Sequence, residues 1–168
     1  MPLTNKRGIF ALTDVRVRQN GGYWPTSPSS IGILYGYFGG GYNGVSTLST
    51  IDRIDYANDT ATASVRGPLS VTRYNITATG NQYYGYWGGS GTTDRVDYSN
   101  DTATSLPKGP LTTTRTNLGA TGNTSYGYFG GGGPGTISLV DRIDYANDTA
   151  TASPKGPLSA GKICFSNW

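Results

Sequence analysis

The residues of this chain with the most obvious capacity for chemistry are its carboxylates and cations, and they recur. "IDRIDYANDTATASVRGPLS" begins at Ile51, returns as "TDRVDYSNDTATSLPKGPLT" from Thr93 and again as "VDRIDYANDTATASPKGPLS" from Val140. In the first copy Asp52, Asp55 and Asp59 are hard oxygen ligands of a kind that suits calcium. Asp52 and Asp55, however, lie three apart on an expected strand and so point to opposite faces. The Asn58-Asp59 pair is a common turn whose side chains bond their own backbone. A turn is the favoured reading, and no metal or cofactor is expected. Catalysis is less well supplied, because the chain has no His, no Glu and the single Cys164. The usual acid–base and nucleophile sets cannot be assembled from that stock. An acid that appears in every copy serves a fold better than a unique active site. No enzyme is expected.

The cations recur with the acids. Arg53, Arg95 and Arg142 follow an Asp in each copy, and their expected role is pairing with Asp in adjacent strands or repeats. A second set, Arg73, Arg115 and Lys162, trails each copy at a fixed offset from Gly67, Gly109 and Gly156. It has two readings: further structural pairs, or a cluster at one end of a central channel that contacts an anion. A third recurring group is aromatic: Tyr35-Tyr37-Phe38, Tyr84-Tyr86-Trp87 and Tyr126-Tyr128-Phe129. These rings can stack on sugars, but packing between repeats is the more ordinary use.

Composition says which elements must position these groups. The 168 residues suit one domain with a modest core, and 26 of them are Gly, with Thr, Ser, Asn and Tyr also common. The usual helix formers are thin, whereas Thr, Tyr, Val and Ile among many Gly residues suit short strands and tight turns. The chain is expected to be all-β. A net charge of +3 with Arg and Asp alternating leaves no concentrated basic stripe, so nucleic acid is not an expected partner. No apolar run resembles a signal peptide or a membrane span. The triplets at Asn58, Asn75, Asn100, Asn123 and Asn147 fit glycosylation, but without a secretion signal most are read as turns.

The phase of the repeat is explicit. Asp55, Asp97 and Asp144 precede Gly67, Gly109 and Gly156 by a constant distance, while the stretch after each Gly-rich block varies in length. Insertions confined to one place per repeat belong in loops on one face, and a period of about 42 to 49 residues is that of a propeller blade. In the second copy four strands are expected: "RYNITATGN" from Arg73, "YYGYWGG" from Tyr83, "TDRVDYSN" from Thr93 and "TATSLPK" from Thr102. Side chains at Tyr37, Tyr86 and Tyr128, and at Ile54, Val96 and Ile143, are expected to be equivalently buried.

A Tyr-x-aromatic-Gly-Gly strand, a "DRxDY" strand, a turn and a "GPL" segment followed by a cation resemble kelch repeats. The resemblance implies that Gly39 and Gly40, Gly88 and Gly89, and Gly130 and Gly131 end the second strand. It places Tyr56, Tyr98 and Tyr145 in the third. The chain departs from the pattern in the fourth strand, where Ala63, Ser105 and Ala152 stand in the region of an expected Trp, so packing there must differ or the repeats must sit closer. Over about residues 34 to 162 the wording is also similar to kelch-like proteins of marine cyanobacterial phages. That likeness implies a virion structural protein, tail- or fibre-associated, or else a carbohydrate- or host-receptor-binding module using the variable loops after the Gly-rich strands.

The expected organisation is therefore an N-terminal anchor or linker at residues 1–30, then kelch-like β-propeller repeats at about 31–72, 73–114 and 115–161, and a terminal strand at 162–168. The first segment is basic through Lys6, Arg7, Arg16 and Arg18, and its apolar residues suit docking to other virion proteins. Three repeats fall short of the four to eight blades of ordinary propellers. The first repeat also lacks the inner-strand wording, while Lys162 starts a strand of a further repeat. A homo-oligomer is expected, with a dimer favoured in which residues 162–168 complete the partner's first repeat. The resemblance implies a place in the virion.

Overall fold

The chain divides into two units, residues 1–30 and 31–168. The computed structural model describes residues 34–164; the expected anchor at 1–30 and the end of the terminal strand at 165–168 lie outside the described residues.

The described residues form three antiparallel sheets and no α-helix. The first sheet holds β1 (Tyr35–Gly39), β2 (Ile51–Asp55) and β3 (Ser64–Arg66). The second runs β4 (Thr77–Gly80), β5 (Tyr84–Gly88), β6 (Thr93–Asp97) and β7 (Leu106–Lys108). The third repeats that order with β8 (Gly119–Gly122), β9 (Tyr126–Gly130), β10 (Val140–Asp144) and β11 (Ser153–Lys155). Each sheet is a meander in which sequence neighbours pair. Register repeats as well: Tyr37 faces Arg53, Tyr86 faces Arg95 and Tyr128 faces Arg142.

Local chemistry accounts for these boundaries. Gly40, Gly89 and Gly131 follow their strands with φ of 72°, 124° and 73°, a region that side chains with a Cβ rarely adopt. Asp97 and Asp144 then end β6 and β10 by accepting a backbone N–H from Ser99 and Ala146, so each opens a 3-10 turn. Asp55 accepts from Ala57 in the same way. Asn81 and Asn123 tighten the β4–β5 and β8–β9 hairpins by accepting two backbone N–H groups each, as Asx turns do.

A single sheet of this size cannot bury its own face, and the core lies between sheets. Ile51 and Leu69 of the first repeat pack with Trp87 and Val96 of the second. Leu111 of the second packs with Leu118, Phe129 and Ile143 of the third. The backbones approach closely here. A Cβ on Gly67 would run into Ala103, and one on Gly109 into Ala150. Gly67 N–H donates to the Asp101 carbonyl and Ser105 N–H to that of Pro68, both at 2.8–2.9 Å, with Gly109 to Asp148 and Ala152 to Pro110 as their equivalents. Small residues at Ser105 and Ala152 therefore suit a tight seam between repeats, where a Trp side chain would hold the strands apart.

Burial is not equal along the repeat, contrary to the sequence expectation. Val96 and Ile143 are each 2% exposed, whereas Ile54 is half-buried; Tyr86 is buried and Tyr37 and Tyr128 are half-buried. The cause is position, since Val96 and Ile143 are covered by the repeat before them and Ile54 has no such cover among the described residues. Ile143→Ala is expected to lower unfolding stability by about 2–4 kcal/mol. Ile54→Ala should cost about 1 kcal/mol. Urea denaturation measures both, and equal losses would contradict this packing.

Candidate functional site

The seams concentrate the charged chemistry of the molecule. At the first, Asp101 of the second repeat reaches back to the first: its Oδ2 accepts from Tyr37 Oη at 3.0 Å and Arg53 Nη1 at 2.8 Å, with Arg66 Nε at 3.5 Å. The second seam repeats the arrangement. Asp148 Oδ2 accepts from Tyr86 Oη at 2.9 Å and Arg95 Nη1 at 2.8 Å, and Lys108 Nζ forms an ion pair with its Oδ1 at 3.1 Å. The tyrosines stack across each seam, Tyr37 on Tyr98 at 4.7 Å and Tyr86 on Tyr145 at 4.6 Å between centroids. Arg53, Arg95 and Arg142 lie over the rings of Tyr35, Tyr84 and Tyr126, which holds Arg53 and Arg95 flat for Asp101 and Asp148.

Burial, then the hydrogen bond to Asp101 and its charge, push the Tyr37 hydroxyl up to about 12. Burial followed by the bond to Asp148 raises Tyr86 in the same direction. These tyrosines act as fixed donors across the ordinary pH range.

A second set of ion pairs sits deeper. Arg73 Nη2 contacts Asp94 Oδ2 at 3.0 Å, and Ser70 adds its N–H at 2.9 Å and Oγ at 2.7 Å to the same carboxylate. Arg115 Nη1 lies 2.9 Å from Asp141 Oδ2, with Thr112 Oγ1 at 2.6 Å. Arg73 and Arg115 are 3% and 1% exposed, and their remaining Nη protons go to Thr92 and to the Phe129 carbonyl. Of the two readings of this set, further structural pairs describes Arg73 and Arg115, and the channel reading does not: both are taken up by buried carboxylates. Lys162 has no ion pair among the described residues. Its backbone takes the position of the other two, since the carbonyls of Arg73, Arg115 and Lys162 accept from Gly41, Ser90 and Gly132.

Of the other residues singled out in the sequence, Gly39 and Gly88 face Trp87 and Phe129 across the seams, where a Cβ would meet the rings. Gly130 instead faces Val140 and Leu158 of its own repeat. Tyr56 is 56% exposed, unlike Tyr98 and Tyr145. No group of three or more metal-ligating side chains occurs among the described residues, and none of their helices is long and apolar enough to cross a membrane. Cys164 is a free thiol.

One groove is walled by exposed aromatic rings. A cavity of about 450 Å³ runs along β1 toward β4, and Phe38, Tyr42, Tyr74, Asn75 and Trp87 contribute to its walls. Phe38, Tyr42 and Tyr74 are 64%, 60% and 51% exposed, and the last two rings are tilted at 6.4 Å. Exposed ring faces beside a polar edge can hold a flat, amphipathic ligand. Sequence reasoning named Phe38 but did not single out Tyr42, in the variable loop, or Tyr74, whose equivalent in the next copy is Thr116. It also did not pick out Asp94, Asp101, Asp141 and Asp148 as the buried acids, although each recurs at a constant offset from the capping Asp.

No family model matches the chain, and no curated protein matches it.

Asp94→Ala leaves a buried guanidinium unpaired and is expected to cost about 3–5 kcal/mol. Asp97→Ala removes only a partly exposed turn cap and should cost about 0.5–2 kcal/mol. A second outcome concerns alkali. The folded-state pKa of Tyr37 lies above its unfolded value near 10, so its stabilisation is complete below about pH 10 and is lost as pH rises through about 12. The melting temperature should fall over that window together with growth of tyrosinate absorbance. A flat profile through it would contradict the seam.

Proposed function

We propose that the chain is a structural repeat protein, a kelch-like β-propeller component of a phage particle associated with the tail or fibre, whose loops are displayed from a rigid scaffold. The observation that supports a scaffold is the seam itself: the same Asp, Tyr, Arg and Gly positions join successive repeats twice. Residues so used are committed to holding sheets together, and no catalytic role is assigned to any of them. Support for the kelch and virion parts of the reading comes from the wording of the repeat. On this reading residues 1–30 dock to other virion proteins and the chain works as a homo-oligomer. Mass spectrometry of purified particles of the encoding virus should find the chain at a stoichiometry matching other structural subunits; its confinement to the infected-cell lysate would overturn the assignment.

The aromatic groove favours a second reading, a carbohydrate-binding module. Tyr42 lies at the start of the variable loop after the first Gly-rich strand, and its exposed ring beside Tyr74 and Asn75 suits the apolar face of a sugar with hydroxyls bonded at the edge. A glycan array decides this point. Selective binding that is lost in Tyr42→Ala and Tyr74→Ala chains would establish it, and no selective binding would leave the chain purely structural.

A further inference from the structure

Each seam has two half-faces, and the described chain carries one spare half of each kind. The trailing half, supplied by the earlier repeat, consists of the Tyr, Arg and Lys or Arg that await a carboxylate, the Gly of close approach, and an apolar hollow. The leading half, supplied by the later repeat, consists of that carboxylate, an aromatic that fills the hollow, and a tyrosine that stacks.

On the third repeat the trailing half is open. Tyr128 Oη and the Arg142 guanidinium stand where Tyr86 and Arg95 stand, and neither has a hydrogen-bond acceptor among the described residues. Lys155 takes the place of Lys108 and has no ion pair there either. A hollow of about 240 Å³ is walled by Tyr128, Gly130, Val140 and Leu158, the equivalents of residues that receive Trp87 and Phe129 at the closed seams. Gly156 is exposed and a Cβ on it would meet nothing, although Gly67 and Gly109 at the same position each face a neighbouring backbone.

The first repeat presents the leading half. Phe38 is 64% exposed where Trp87 is 3% and Phe129 is 0%. Tyr56 is 56% exposed where Tyr98 and Tyr145 stack. Asp59 is exposed where Asp101 and Asp148 are 7% and 6% exposed. Asp52, equivalent to the buried Asp94 and Asp141, has no cation among the described residues, and Lys162 has no acid.

The geometry points to a second copy of this chain as the occupant of both half-faces, docked head to tail, with the first repeat of one copy seated on the third repeat of the other. Phe38 fills the hollow, Asp59 accepts from Tyr128, Arg142 and Lys155, and Asp52 meets Lys162. The charges are complementary, acids on the leading face and cations on the trailing one, as at the two closed seams. A head-to-tail contact either closes into a ring or runs on. Two copies give six repeats, within the range at which propellers close. That count rests on the propeller reading, whereas the docking rests on the seam alone. Docking of this kind also occupies Phe38 at the mouth of the aromatic groove, leaving Tyr42 and Tyr74 toward the loop.

Sedimentation velocity on the full chain across a range of concentrations tests this. A dimer supports docking and six-repeat closure. A ladder of higher masses supports docking and overturns closure. A monomer at every concentration overturns both, and is the result expected if residues 1–30 of the same chain cover the leading face. Specificity is read from variants whose substitutions face open space within one copy. Gly156→Leu should give a folded monomer with unchanged circular dichroism. Asp59→Lys and Lys155→Asp chains should each associate about tenfold more weakly alone, a loss near 1.4 kcal/mol. Mixed, they should recover the dimer, because one seam is then restored with its charges exchanged and the other is wild type. Failure of the mixture to recover, with both chains folded, would overturn the proposed pairing of faces.

Discussion

A carboxylate carried across a boundary organises this protein. Asp101 and Asp148 each leave their own sheet and end, 6–7% exposed, against a tyrosine hydroxyl and two cations of the preceding repeat. A carboxylate withdrawn from water to that degree is costly unless its lone pairs are met. The register that brings Tyr86, Arg95 and Lys108 together is therefore strongly constrained. Sheets displaced by one residue would leave the acid buried and its partners turned to the other face.

The apolar packing follows from the same boundary. Trp87 and Phe129 lie over Gly39 and Gly88 because only a residue without a side chain lets a ring come so near the strand. Deeper in, Arg73 and Arg115 sit at the junction between one repeat and the next and pin Asp94 and Asp141. Three layers of contact thus act at each seam: a buried ion pair, an apolar centre and a half-exposed Asp–Tyr–Arg set. The last two cannot form within one repeat alone, and Ser70 and Thr112 of the preceding repeat complete the first, which is why stability of the described fold depends on neighbours. Function, in the reading favoured here, is an extension of that dependence to neighbouring chains.

Much of the fold was legible in the chain. Strands centred on "YGYWG" and "TDRVD", closed by Asp97 and by Gly89 with positive φ, were signalled by alternation and by turn residues. Less legible were the partners. Arg73 could also be read as a channel cation, because spacing along a chain does not reveal whether an acid will face it; Asp94, 21 residues later, is brought there by the pairing of β5 with β6. Tyr42 and Tyr74 escaped notice for a related reason, since neither position holds a Tyr in the other repeats and they meet only through the placement of β1 beside β4.

By itself, then, the sequence determined the local elements and their recurrence: short strands from β-branched and aromatic residues, turns from Gly, Asn and Asp, and a unit repeated in phase. These depend on backbone preferences acting over a few residues. Tertiary structure alone decided what each repeated side chain became. Asp101 and Asp148 are buried acceptors while the equivalent Asp59 is exposed, and Gly109 is a point of close approach while Gly156 faces open space. Identical words acquire different environments because burial is set by what stands on either side, and among the described residues the first and third repeats each have a neighbour on one side only.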